Sequence, residues 1–304
     1  MSTAFAIETN NLNYSFSKYH KAVNNLSLQV PQGSIFGFLG PNGAGKTTTM
    51  RMLTGILPSE KDNIFLMGKN LMQTMPKVFE EIGSLVETPS LYLHLNGYDN
   101  LKIICILREI KYDRINSILE LVGLLQDGKR KVQEYSLGMK QRLGIAMALL
   151  SNPKLLLLDE PVNGLDPAGI VEVRELLKKL NREQNITIFI SSHLLNEIEK
   201  ICTHVSIIHK GILKFQGKLS DLQESEELLN EVTFTLDDAL ISESIIQQKF
   251  NSAKAINQKS ITINFENENE IPEINKWLVE NGINVLGINT KLGLEDWFMK
   301  ITSK

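Results

Sequence analysis

Several things are scarce in this 304-residue sequence, and each scarcity excludes a class of protein. Cysteine is nearly missing: Cys105 and Cys202 stand alone, each inside an apolar stretch, ICIL and IEKICTHV. Such a pair supports neither a disulfide framework nor a cysteine metal site, and it fits reduced, buried thiols in a cytosolic protein. Long apolar runs are missing too, since none approaches the roughly 18 residues needed to cross a bilayer. The opening MSTAFAIETNN has no basic segment leading into an apolar block, so no signal peptide is expected. Any membrane role must therefore come from a partner chain. Excess positive charge is also lacking. The net charge is −3, and residues 219–304 hold 15 acidic against 7 basic side chains. An acidic tail is a poor surface for nucleic acid, whose binding rests on cations against phosphates, so no nucleic-acid partner is expected. The preceding 218 residues carry 20 acidic and 25 basic side chains, a mild excess compatible with a small polyanionic ligand. No internal repeat or low-complexity tract appears.

What is present reads as an ordinary folded chain, 42% apolar and 22% charged, long enough for one large domain and a smaller one. Residues 5–38 contain the β-like runs FAIET, LSLQV and SIFGFL, ending at the glycine-rich GPNGAGKTTT. The helical pattern TTMRMLTGIL follows, closed by Pro58. Between Leu91 and Leu150 strand signals vanish, and NLKIICILREI, RINSILELVGLL and MKQRLGIAMALL carry apolar residues at helical spacing. Strand signals return in KLLLLDE, ITIFISSH and HVSIIHKG, separated by helical stretches such as GIVEVRELLKKLNRE. An apolar strand, a helix and another apolar strand indicate parallel βαβ units. We expect an α/β domain over 1–218, interrupted by a helical subdomain at about 88–150. From 219 to 304 the order becomes β-α-β-β-α-β: EVTFTLDD, ISESIIQQKF, AKAINQ, SITINFE, PEINKWLVEN and INVLGINT. That order suits a small α+β, ferredoxin-like domain with a final helix LEDWFMKI.

The segment Gly40-Pro41-Asn42-Gly43-Ala44-Gly45-Lys46-Thr47 satisfies G-x-x-x-x-G-K-[ST], with an apolar strand before it and a helix after. Glycines without side chains let such a loop wrap phosphates with inward-pointing N–H groups. The helix N-terminus, running on through Thr48, adds positive potential. Lys46 would reach the β- and γ-phosphates of ATP, and the Thr47 hydroxyl would bind Mg²⁺. Downstream, LLLLDE is a buried strand ending in two carboxylates. Asp159 suits Mg²⁺ coordination through water, and Glu160 suits polarisation of the attacking water as a general base. Alone, two acids after an apolar strand are more often a solvated strand end; behind a phosphate loop the catalytic reading gains.

At this point the chain resembles the ABC-transporter ATPase family over about residues 5–215. Tyr135-Ser136-Leu137-Gly138-Met139 occupies the signature position, where the usual pattern is Leu-Ser-Gly-Gly-Gln, and only Ser136 and Gly138 match it. Physically, Ser136 caps a helix whose N-terminus attracts an anion. In the family that anion is the γ-phosphate held by the opposite subunit. Asn163-Gly164-Leu165-Asp166-Pro167 resembles the loop that crosses the dimer interface, while Asp166 and Pro167 also make a plain helix start. His193, closing ITIFISSH, resembles the switch histidine that contacts the γ-phosphate and the attacking water. Phe16 best fits the aromatic that stacks on adenine, with Tyr14 and Tyr19 as competitors. The resemblance implies a P-loop ABC ATPase core acting as a homodimer on ATP and Mg²⁺, peripheral on the inner face of the cell membrane through integral permease subunits.

Where these transporters usually carry glutamine before the helical insertion, IGSLVETPSLY places Glu87. A carboxylate there brings negative charge near the metal and cannot donate hydrogen bonds as an amide can. With YSLGMKQRLGIA, it resembles the group conferring lantibiotic immunity and bacitracin resistance, which implies export of peptide antibiotics. Other drug or polypeptide exporters, and ABC ATPases without a transport role, stay open.

Overall fold

In a computed structural model the chain is described over residues 4–17, 20–59, 63–223, 231–267 and 269–289, with Phe298. These fall into two compact units that divide between Lys218 and Leu219. The first opens with β1 (Phe5–Thr9), the hairpin strands β2 (Leu12–Ser17) and β3 (His20–Leu26), then β4 (Gln29–Pro31) and β5 (Ile35–Leu39), which runs into the glycine-rich loop and α1 (Lys46–Leu53). Short elements follow: β6 (Ile64–Leu66), β7 (Lys69–Asn70), α2 (Leu71–Thr74) and β8 (Ile82–Leu85). A strand-free stretch then holds α3 (Gly97–Leu107), α4 (Arg114–Leu121) and α5 (Leu137–Leu149), crossed by one isolated bridge between Asn96 and Lys131. The unit finishes with β9 (Leu155–Asp159), α6 (Pro167–Gln184), β10 (Thr187–Ser192), α7 (Leu195–Glu199), β11 (His204–His209) and β12 (Ile212–Lys218).

Among the described residues the central sheet has the order β12-β11-β5-β10-β9-β8, parallel throughout except for the β11–β12 pair. Every residue of β5, β9 and β10 is buried. That is why IFGFL, LLLLD and TIFISS read as continuous runs rather than alternating ones: a parallel sheet is covered on both faces. Phe189 packs its ring 5.8 Å from Phe36 and 5.4 Å from Phe38, tying β10 to β5. A second, antiparallel sheet has the order β4-β1-β6-β7.

The expected run LSLQV is split. β3 ends at Leu26 and β4 starts at Gln29, because the Thr9 side chain donates to the Leu26 carbonyl at 3.0 Å and accepts from the Leu28 N–H at 2.9 Å. Both thiols are free and buried, as their apolar settings suggest, and burial raises both above the ordinary thiol range.

In the second unit, α8 (Leu219–Gln223) is followed by β13 (Glu231–Leu236), α9 (Ala239–Gln247), β14 (Lys254–Asn257), β15 (Ser260–Asn264), α10 (Glu270–Glu280) and β16 (Val285–Asn289). The sheet order β14-β15-β13-β16 is antiparallel, the arrangement that a β-α-β-β-α-β chain makes when both crossovers are right-handed. Alternation of buried residues along β13 aims Val232, Phe234 and Leu236 at a core shared with Ile261, Ile263, Ile274 and Leu278. The helix expected from LEDWFMKI lies outside the described residues except for Phe298.

Candidate functional site

Parallel register places the ends of three strands side by side: Leu39 of β5 opposite Ser192 of β10, and Ser191 of β10 opposite Asp159 of β9. The segments that leave these ends are the glycine-rich loop, Glu160 and His193. They enclose a cleft of about 420 Å³, lined along the loop by Pro41, Asn42, Gly43, Gly45, Lys46, Thr47 and Thr48, and elsewhere by Phe16, Ala22, Glu160, Asn163 and His193. This is where open α/β sheets bind ligands, outside the carboxyl ends of the strands.

Gly45 is the residue at which the loop turns into α1. Its φ of 110° is a conformation that other residues rarely adopt, and a Cβ there would sit 2.4 Å from the Ala22 carbonyl oxygen. The turn lets α1 start with its N–H groups facing the cleft. Lys46 is buried, and its Nζ donates to the Gly40 carbonyl at 2.7 Å and lies 3.2 Å from Glu160 Oε1. Glu160 Oε2 is 2.8 Å from His193 Nδ1. The three residues therefore form one continuous chain across the cleft. Glu160 has a left-handed backbone, φ 49°, held by its N–H donating to Ser191 Oγ at 3.0 Å. The same hydroxyl donates to Asp159, which is buried behind the cleft. Ser191 thus orients both acids. Its signal lay in ITIFISSH, two places before the histidine, and was not singled out from the sequence; nor was Asn163 as part of the cleft wall.

Gly40 and Ala44 belong to the turn but do not line the cleft. The Gly40 carbonyl serves Lys46, and Ala44 is buried with its carbonyl accepting from the Gly211 N–H. Phe16 stands at the cleft, 56% exposed and edge-on to Tyr14, with ring centroids 5.1 Å apart. Tyr14 itself packs against the main core. Tyr19, the other competitor, lies outside the described residues.

Ser136, Gly138, Asp166 and Glu87 are not part of the cleft wall. Ser136 caps α5, its Oγ accepting from the Met139 N–H at 3.2 Å, and Asp166 caps α6, accepting from the Gly169 N–H at 3.0 Å. The two helix starts adjoin: a Cβ on Gly138 would be 3.7 Å from the Gly169 Cα. They present two dipole ends side by side. Glu87 follows β8, with φ 68°, and its carboxylate pairs with the Arg51 guanidinium of α1.

This architecture is matched by proteins of known kind. Residues 23–163 match the family described as ABC transporter. The bacitracin transport ATP-binding protein BcrA of Bacillus licheniformis is 44% identical over 92% of each chain. The lantibiotic transport ATP-binding protein SrtF of Streptococcus pyogenes is 39% identical over 74% of this chain and 96% of its own. Among solved structures, cbiO1 from Clostridium perfringens, part of the ABC transporter complex cbiONQ, superposes with a TM-score of 0.67 at 27% identity, covering 74% of this chain and 93% of that one. The chain belongs to the ABC transporter family and is an ATP-binding, ATP-hydrolysing subunit. No helix among the described residues is long and apolar enough to cross a membrane.

Proposed function

We propose that this subunit drives a transporter protecting cells from peptide antibiotics of the bacitracin or lantibiotic type. The observation that carries the reading is the chain Lys46–Glu160–His193 across a cleft of about 420 Å³, in a protein whose 44% identity to a bacitracin transport subunit spans both units. ATP would enter with its phosphates over the Gly43–Thr48 turn and its adenine against Phe16. Lys46 would exchange its Glu160 contact for the β- and γ-phosphates. Glu160, freed on one oxygen and held on the other by His193, would then accept a proton from the water whose oxygen attacks the γ-phosphorus, as ADP departs. His193 keeps that carboxylate aimed.

Mg²⁺ fits the donors present. Among the described residues no three acidic, His or Cys side chains converge to cage a metal. Mg²⁺ does not need a cage: it binds through one or two protein oxygens plus phosphates and waters, and Thr47 and Asp159 offer those. Bound there, it would neutralise charge on the phosphates. Glu87 could add an oxygen only after leaving Arg51.

The exposed N-termini of α5 and α6 suit a homodimer, in which Ser136 and Gly138 of one subunit close over the γ-phosphate of the other and Asp166 lies at the seam. Permease subunits would hold the dimer on the inner face of the membrane. Residues 1–218 would supply the ATPase domain and 219–304 an appended domain. The test is a deletion strain challenged with bacitracin and a lantibiotic. Tolerance should fall, return with the wild-type gene and not with Glu160→Gln. Unchanged tolerance to both peptides would remove the antibiotic assignment and leave a drug or polypeptide exporter as the alternative.

A further inference from the structure

Neither Arg51 nor Glu87 lines the cleft, and stability does not account for their pairing. Both side chains are partly exposed, 34% for Arg51 and 54% for Glu87, and such pairs contribute little to folding. Yet Glu87 adopts a left-handed backbone, which a residue with a side chain keeps only where its surroundings hold it. What surrounds it joins two halves of the nucleotide machinery. On one side Arg51 lies on α1, five residues after Lys46. On the other, the same short segment is packed into α5, the helix that Ser136 caps. Gly144 touches Pro89 so closely that a Cβ there would be 2.7 Å from the Pro89 ring carbons. One strand earlier, a Cβ on Gly83 of β8 would be 2.3 Å from the Ala148 carbonyl oxygen. Contacts this close leave α5 no freedom to slide on the 83–89 segment. β8 in turn pairs with β9, Leu85 opposite Leu158, next to Asp159. A shift of the segment would therefore be a shift of the Ser136 helix.

We propose that Arg51 is a positioning residue: through its ion pair with Glu87 it ties the phosphate-loop helix to the 83–89 segment, so that nucleotide at Lys46 changes the setting of α5. This rests on the nucleotide-site reading above. Mechanically, α1 opens with the phosphate-loop residues Lys46, Thr47 and Thr48, and beside the apolar core that Val86 shares with Met50, Met52 and Leu53 the guanidinium is its charged link to that segment among the contacts described. A planar, always charged guanidinium suits the task, because it holds a carboxylate in a fixed orientation at any physiological pH.

The test is hydrogen exchange on the full chain, with and without Mg²⁺ and a non-hydrolysable ATP analogue, read on peptides covering 84–91 and 137–149. In the wild type the analogue should alter exchange in both. Arg51→Gln should bind the analogue within about fivefold of wild type, since the pair is exposed, yet lose most of the change at 137–149. Exchanging the charges, Arg51→Glu with Glu87→Arg, should restore it. An unaltered response in Arg51→Gln, or no recovery in the exchanged pair, overturns the proposal. So does a wild type that binds the analogue with no change at 84–91. A wild type that binds no analogue overturns the nucleotide site itself, and this inference with it.

Discussion

Lys46 makes three oxygen contacts at once, to the carbonyls of Gly40 and Pro41 and to Glu160, and this shapes what its loss should do. A charge-assisted contact to phosphate contributes on the order of 1.5–3 kcal/mol, so Lys46→Ala should weaken ATP binding by roughly ten- to hundredfold. Calorimetric titration checks it; unchanged affinity would remove the phosphate-loop assignment. Glu160→Gln should instead keep binding and slow hydrolysis by roughly 10²–10⁴-fold, the usual contribution of a general base. Turnover at the wild-type rate would mean that another group activates the water. These residues were legible beforehand because each sits at a fixed spacing from a glycine turn or a strand end. Ser191 was not: a serine inside a buried strand looks like filler until the fold shows that it orients both Asp159 and Glu160.

At the scale of elements, what could be read was whatever repeats. The strands buried on both faces and the helices with apolar residues at turn spacing emerged directly. The short β6 and β7 were lost, because two or three residues cannot establish a period. β12 was lost because an edge strand with polar positions resembles a loop. The adjoining starts of α5 and α6 depend on tertiary packing alone, yet they carry the dimer reading. If each site is shared, Ser136→Arg places bulk at the capped end of α5 where the partner's phosphate would dock. Nucleotide should still bind the monomer while hydrolysis stops; wild-type turnover by this variant alone would contradict a shared site. A second tie connects α6 to α7, just beyond His193. Glu197 accepts from Lys200 at 2.6 Å and from Arg174 of α6 at 3.0 Å. The Lys200 hydrogen bond first, then the neighbouring charges, hold its carboxyl below the ordinary 4.5. A lowered carboxyl adds stability that is complete above the unfolded value and disappears as pH falls through the folded one. Glu197→Gln should therefore lower the urea midpoint at pH 7, with the gap narrowing once pH drops below 4.5. A gap independent of pH would show that the charge plays no part.

For the whole molecule, the sequence showed an acidic tail over residues 219–304 and no apolar run long enough to span a membrane, but it could not say how the catalytic core speaks to a partner. Glu87 bears on that question. If it served mainly to complete a Mg²⁺ shell, Glu87→Gln would weaken metal binding and lower the ATPase of the isolated chain. The structure sets its carboxylate on Arg51, outside the cleft wall, while Thr47 at the cleft and Asp159 just behind it would supply oxygens to an ion that keeps several waters. We therefore expect the purified subunit to hydrolyse ATP nearly as before. Its 83–89 segment leads into α3–α5, the part of the fold that permease subunits would contact, so peptide tolerance of cells carrying the substitution should fall. The two measurements separate the possibilities. A parallel loss of ATPase and tolerance would favour the metal role, and full retention of both would reduce Glu87 to a surface residue. Intact hydrolysis with lost protection places it between the nucleotide and the membrane partner, where an amide could no longer form the charged pair with Arg51.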